Sequence, residues 1–90
     1  GYLSNEQIMK IPKENRQREK FLLLLKEVRQ KKGLRQVDFA EQLGVPQSFI
    51  SKYESGDRQL DVLELRRICE LIGISLGDFV QQLEKKINET

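Results

Sequence analysis

The sequence predicts an all-α domain of five short helices behind a polar N-terminal arm, and three observations carry that prediction. Apolar residues recur at helical spacing in each regular segment, and no segment alternates with a period of two. Gly33, Gly44, Gly56 and Gly73 each fall where such a segment ends, the place where a left-handed residue closes a helix. Asp61 with Glu64 and Ser75 with Asp78 have the spacing of an N-cap and its partner, directly after the last two of those glycines.

Residues 1–18 read as the arm, polar and irregular, with Pro12 inside IMKIPKENRQRE. SNEQ at Ser4–Gln7 has the capping pattern of a short helix, and Pro12 suits the first position of another, so the arm is expected to be partly helical. Gly1 stands where an initiator methionine is expected and is left out of the fold reasoning, and Tyr2 and Met9 have no functional reading. The domain proper is expected over 19–90, with helices near 19–32, 36–43, 46–54, 61–72 and 75–87. Their apolar faces are Phe21, Leu25 and Val28; Val37 or Ala40 with Phe39 and Leu43; Ile50 and Tyr53; Val62, Leu65, Ile68, Cys69 and Ile72; and Leu76, Phe79, Val80, Leu83 and Ile87. The second and third helices are too short to persist alone and must pack on the others.

Composition narrows the function. A chain of 90 residues with 38% hydrophobic and 33% charged residues suits one small soluble helical domain. There is no histidine and one cysteine, which excludes disulfide scaffolds and Cys/His zinc sites and removes the commonest acid–base catalyst. No nucleophile–base pair or metal cluster stands out, and the glycines are spread as helix stops rather than gathered into a phosphate loop, so neither an enzyme nor a cofactor is expected. The longest apolar run, Phe21–Leu25, is far short of a membrane span, and no charged-then-apolar leader opens the sequence; a cytoplasmic location away from membranes is expected. The net charge of +2 hides an asymmetry: residues 1–35 carry ten Lys/Arg against four Glu, a net of +6. That basic third either tracks phosphates or forms a solvated helix face.

The stretch AEQLGVPQSFISKYESG, Ala40–Gly56, holds the most information. Small Ala40 lets the following helix approach, Gly44 supplies the turn, Val45 plugs the corner, and Ile50 with Tyr53 press the second helix onto the first. That leaves Gln47, Ser48, Ser51, Lys52 and Ser55 projecting, all of them hydrogen-bonding groups. With these residues in place, LRQVDFAEQLGVPQSFISKYESGDRQLDVLELRRICELIGISLGDFV resembles the helix-turn-helix domain of the Cro and lambda-repressor-like (Xre) transcriptional regulators, over roughly residues 22–80. The likeness extends to the S-K-Y-E-x-G close of the third helix and the I-S-L-x-D-F entry to the fifth.

The resemblance implies a compact lambda-repressor-like domain whose third helix lies in the major groove of double-stranded DNA. Gln47, Ser48, Ser51 and Lys52 would then face base edges, Gln47 matching adenine and Lys52 guanine. Gln36 matches the family's phosphate-binding glutamine, and Arg35, Lys32 and Arg58 flank the same surface as further phosphate contacts. Arg29 and Glu54 match a family pair that orients the recognition helix. The chain departs from the family in having Arg35 and Pro46, not Ser or Thr, before the second and third helices, so neither position supplies a capping hydroxyl. Phe49 is expected to cover the core edge beside Tyr53 rather than meet a thymine methyl, and Cys69 to be a small buried hydrophobe.

Helix five offers Leu76, Val80, Leu83 and Ile87 along one face, which reads either as a homodimer interface or as packing against the first helix. The function expected is a sequence-specific DNA-binding regulator, a repressor on an inverted repeat, with no small-molecule ligand evident. The alternative is an antitoxin or adaptor module that binds another protein, with DNA binding secondary.

Overall fold

The computed structural model describes residues 13–89. Five α-helices follow in order: α1 (Lys13–Lys31), α2 (Gln36–Leu43), α3 (Gln47–Ser55), α4 (Val62–Ile72) and α5 (Leu76–Asn88), and no strand occurs among the described residues. The all-α, five-helix class read from the glycine stops is therefore the observed one, and Gly33, Gly44, Gly56 and Gly73 all take positive φ.

The starts agree where a polar cap was read. Glu64 N–H donates to Asp61 Oδ1 at 2.7 Å while Glu64 Oε1 accepts from Asp61 N–H at 3.0 Å, and Asp78 N–H donates to Ser75 Oγ at 2.9 Å. Arg35 and Pro46 stand at the starts of α2 and α3 and give no side-chain cap. At α2 the job is done from inside the helix, where Asp38 Oδ2 accepts from the Arg35 N–H at 3.1 Å.

Helix α1 differs from expectation. It begins at Lys13 rather than near residue 19, so residues 13–18 of the expected arm belong to the helix, while the rest of the arm, with the Ser4–Gln7 start, lies outside the described residues. The physical reason is local: KENRQREK contains no glycine, proline or β-branched residue, so nothing opposes helix propagation immediately after Pro12. Those extra turns are also held by tertiary contacts. Arg18 Nη2 donates to the Gly56 carbonyl at 3.3 Å and Lys20 Nζ to the Lys86 carbonyl at 3.0 Å, placing cations at the C-terminal ends of α3 and α5, where the helix dipole favours them.

Helices α2 and α3 pack closely on each other. Helix α1 crosses α3 and α5, and α4 closes the bundle against α5 and α2. Phe39, Ile50 and Phe79 are fully buried, with Leu25, Tyr53, Ile68 and Cys69 nearly so. Phe21 of α1 meets Phe79 of α5 edge-to-face, ring centres 6.0 Å apart. Cys69 is buried among the core hydrophobes, and burial pushes its thiol above its ordinary pKa. Gly56 is fixed twice over: its φ is +89°, and a Cβ there would lie 3.0 Å from Leu22 Cδ1. A side chain there would make the Leu22 methyl give way.

Candidate nucleic-acid interface

The turn between α2 and α3 forms as the residue pattern requires. Gly44 N–H reaches the Glu41 carbonyl at 3.1 Å and Val45 N–H the Ala40 carbonyl at 3.0 Å, while Ala40, Ile50 and Tyr53 are buried between the helices and Val45 packs at the corner. With that side of α3 closed, Gln47, Ser48, Lys52 and Ser55 are exposed and Ser51 is half-buried. The Ser51 hydroxyl donates to the Ser48 carbonyl at 3.2 Å and the Ser55 hydroxyl to the Lys52 carbonyl at 3.1 Å, so both protons are taken up within the helix. Gln47, Ser48 and Lys52 are the side chains this face leaves for a partner.

Beneath that face lies a nearly dry ion pair. Arg29 Nε and Nη2 donate to Glu54 Oε2 and Oε1 at 2.6 and 3.0 Å, and the two side chains are only 6% and 4% exposed. The third arm of the guanidinium, Nη1, donates to the Leu34 carbonyl at 2.6 Å. The Glu54 hydrogen bonds, opposed by desolvation, hold the Arg29 pKa above its ordinary value. One cation thus ties the end of α1, the loop before α2 and the last turn of α3 together. Glu54 Oε1 also accepts from Gln36 Nε2 at 3.1 Å, and Gln36 Oε1 in turn accepts from Gln47 Nε2 at 3.5 Å. The first residues of α2 and α3 are therefore linked to the buried pair through side-chain amides.

The residues expected to flank this surface separate. Gln36 lies beside Gln47, at the edge of the face. Arg35 is exposed, but its guanidinium holds Asp38 through Nε and Nη2 at 2.9 and 3.0 Å; the same contacts keep the Asp38 carboxyl below its ordinary pKa. Arg58, just past the end of α3, folds its guanidinium back over the first turn of that helix. Its guanidinium carbon sits 4.4 Å above the Phe49 ring, Nη1 donates to the Gln59 carbonyl, and Nη2 donates to Glu64 at 2.8 Å. Lys32 points toward the end of α4, with Nζ 3.8 Å from where a Cβ on Gly73 would stand. Phe49 packs edge-to-face on Tyr53 at 5.8 Å and against the core, so its placement is that of a core-edge residue.

On α5, Leu76 and Leu83 turn toward the core and Ile87 is half-buried beside the first turns of α1, leaving Val80, 43% exposed, as the open member of the expected face. Several features had no counterpart in the sequence reading. Arg67 Nη2 closes the end of α2 on the Leu43 carbonyl at 2.7 Å. One expectation fails at the start of α4: Val62, read as part of that helix's apolar face, is 61% exposed beside Leu63 at 73%, because the helix buries Ile68, Cys69 and Ile72 instead. The buried Tyr53 hydroxyl has no hydrogen-bond partner among the described residues, and burial, aided by the Glu54 charge, pushes its pKa well above the ordinary value. The Arg67 and Tyr53 contacts depend on tertiary distance alone.

This geometry is shared with known proteins. A helix-turn-helix family matches residues 25–79, which spans the second half of α1 through the first turn of α5. A solved structure described as an XRE-family like protein from Pseudomonas syringae pv. tomato str. DC3000 superposes with a TM-score of 0.74 at 39% identity, covering 80% of this chain and 88% of that one. The chain belongs to the XRE helix-turn-helix family. No curated protein matches it. As an XRE-family domain it is a DNA-binding transcription regulator in the general sense, and α3 is the second helix of its helix-turn-helix. Among the described residues, no helix is long and apolar enough to cross a membrane.

Proposed function

We propose that this XRE-family chain is a sequence-specific regulator that represses by occupying an inverted-repeat operator as a homodimer, with α3 in the major groove. The observation that carries the reading is the exposed row Gln47, Ser48 and Lys52 on a helix whose opposite side is anchored by the buried Arg29–Glu54 pair. Gln47 offers a donor and an acceptor side by side, the complement of adenine, and Lys52, which has no acidic partner among the described residues, donates to guanine. Ser48 adds a hydroxyl at the N-terminus of the helix, and Ser51 can still accept.

Gln36, Arg35 and, stacked over Phe49 of α3, Arg58 supply the phosphate side. Arg35 and Arg58 arrive already paired to acids, so each contributes less than a free cation, and Lys32 is the weakest of the four, given its direction. Two copies related by a two-fold axis would present their α3 helices about 34 Å apart. Val80 is the open centre of the proposed contact, with only the half-buried edges of Leu76, Leu83 and Ile87 beside it.

The test is selection of bound duplexes from a random pool, followed by a salt titration on the winner. A palindromic site whose affinity falls steeply with salt supports the reading. Gln47→Ala or Lys52→Ala should cost about 1–3 kcal/mol at that site, while Arg35→Ala weakens all sequences alike. Equal losses on specific and random DNA from all three would remove the division of roles. A second reading, an antitoxin or adaptor that binds another protein, is favoured by the exposed Val62 and Leu63. Salt-insensitive association with a protein and no preference among duplexes would select it.

A further inference from the structure

The two arginines beside α3 are each held by the acid at the third position of a helix, Asp38 of α2 and Glu64 of α4, and the two grips differ. Arg58 has three holds: the Phe49 ring at 4.4 Å, the Gln59 carbonyl and Glu64. Arg35 has one. Its Nε and Nη2 donate to Asp38 Oδ2 and Oδ1 at 2.9 and 3.0 Å, and among the described residues nothing else holds its guanidinium. The Arg35 side chain is 79% exposed and that of Asp38 33%. Asp38 is also tied to the backbone, because its Oδ2 accepts the Arg35 N–H at 3.1 Å. The arginine is therefore the member able to turn away, and the carboxylate is the one fixed at the start of α2.

We propose that Asp38 is an affinity-limiting counter-ion: it cancels the charge that Arg35 would bring to a phosphate, and so weakens binding to every DNA sequence alike. The inference rests on Arg35 facing the DNA backbone beside Gln36, as in the proposed function. A charge pair separated by 2.9 Å is short against the Debye length of about 10 Å at 0.1 M salt, so a phosphate meets a dipole there and not a cation. Turning Arg35 toward the phosphate does not escape this, because the anchored carboxylate is then left facing the same phosphate unpaired. A net cation that neutralises one phosphate releases about 0.9 of a counter-ion, which at about 0.1 M salt is about an eightfold gain in affinity. The Arg35–Asp38 pair forgoes most of that gain.

The experiment follows binding of wild type, D38N, R35A, R35A/D38N and E41Q to a random duplex and to the selected site by fluorescence anisotropy, between about 50 and about 200 mM salt. Asparagine at 38 keeps an acceptor for the Arg35 N–H and drops the charge; D38S, a shorter neutral acceptor, should behave in the same way. D38N should bind both duplexes about eightfold more tightly at about 0.1 M salt and steepen the salt slope by about 0.9. In the R35A background the same change removes only a screened repulsion and should gain no more than about twofold, with no change in slope. E41Q removes an equal charge one turn further along α2, from an exposed side chain with no partner among the described residues, and should stay within about twofold of wild type. Equal gains from D38N with and without Arg35, or a gain in E41Q as large as in D38N, overturn the inference. D38N keeping the wild-type affinity and slope while R35A weakens both duplexes overturns the counter-ion role alone. R35A and D38N both matching wild type overturn Arg35 as a phosphate contact, and the inference with it.

Discussion

Removing Glu54 should threaten the fold before it affects recognition. In Glu54→Ala the Arg29 guanidinium keeps its charge and its bond to the Leu34 carbonyl but loses two charge-assisted bonds of 2.6 and 3.0 Å, and Gln36 loses its acceptor at 3.1 Å. Both members are almost entirely shielded from water, at 6% and 4% exposure, so solvent does little to screen the loss. Charge-assisted bonds contribute about 1.5–3 kcal/mol each, and a buried charge left without its partner costs about 3–5 kcal/mol. We expect a destabilisation of about 3–5 kcal/mol, a large part of the about 5–15 kcal/mol that holds a small domain together. Urea denaturation followed by circular dichroism measures it as a fall in midpoint at constant slope. Replacing both partners, as in R29M/E54M, removes the stranded charge and should recover most of the loss. A Glu54→Ala protein within about 1 kcal/mol of wild type would refute the reasoning, as would a double variant no more stable than the single one.

Three further outcomes follow from the same contacts. Gly56→Ala should cost more than Gly44→Ala: both force a left-handed residue at about 1–2 kcal/mol, but only the Gly56 Cβ meets a neighbour, Leu22, and chemical denaturation should resolve the difference. Tyr53 should stay protonated well above its ordinary value of 10.0, so stability is fully present below the unfolded-state pKa and is lost as pH rises through the raised folded one; ultraviolet titration should show its phenolate appearing only with unfolding. Arg18→Ala should lower stability by roughly 0.5–1 kcal/mol by exposing the end of α3, while leaving the salt dependence of DNA binding unchanged. A reduced salt slope in that variant would mean that the N-terminal cations reach phosphate after all.

What the sequence made legible was what local chemistry decides. The first four helices stop at glycines whose positive φ no other residue adopts cheaply, and the Asp61 and Ser75 starts are bonds over three residues, so both can be read without knowing the fold. The polar row from Gln47 to Lys52 was equally readable, because burying Ile50 and Tyr53 dictates which side of a helix is left over. The start of α1 was missed because polarity was taken as irregularity, although a polar stretch without breakers continues a helix once its end packs. Partner choice among the cations was out of reach. Arg18, Lys20, Arg35, Arg58 and Arg67 all look like phosphate ligands in a string of letters, and all five hold carbonyls or carboxylates of their own chain.

That redistribution of charge bears on how a domain of net charge +2 can choose a DNA site. If every cation of the basic N-terminal third faced the duplex, affinity would be dominated by phosphate neutralisation, which is blind to sequence and steep in salt. Here Arg18 and Lys20 close other helices and Arg29 is buried, so three of the ten cations in that third act inside the protein. The neutral Gln47 and Ser48 and Lys52, which has no acidic partner among the described residues, are left at the centre of the exposed face. A surface so built relies on hydrogen-bond matching for a larger share of its binding energy. Wild-type protein should accordingly show a shallow salt slope for its size and a high ratio of specific to random binding. A slope as steep as about 0.9 for each of the cations in residues 1–35 would show that those internal contacts give way on the duplex.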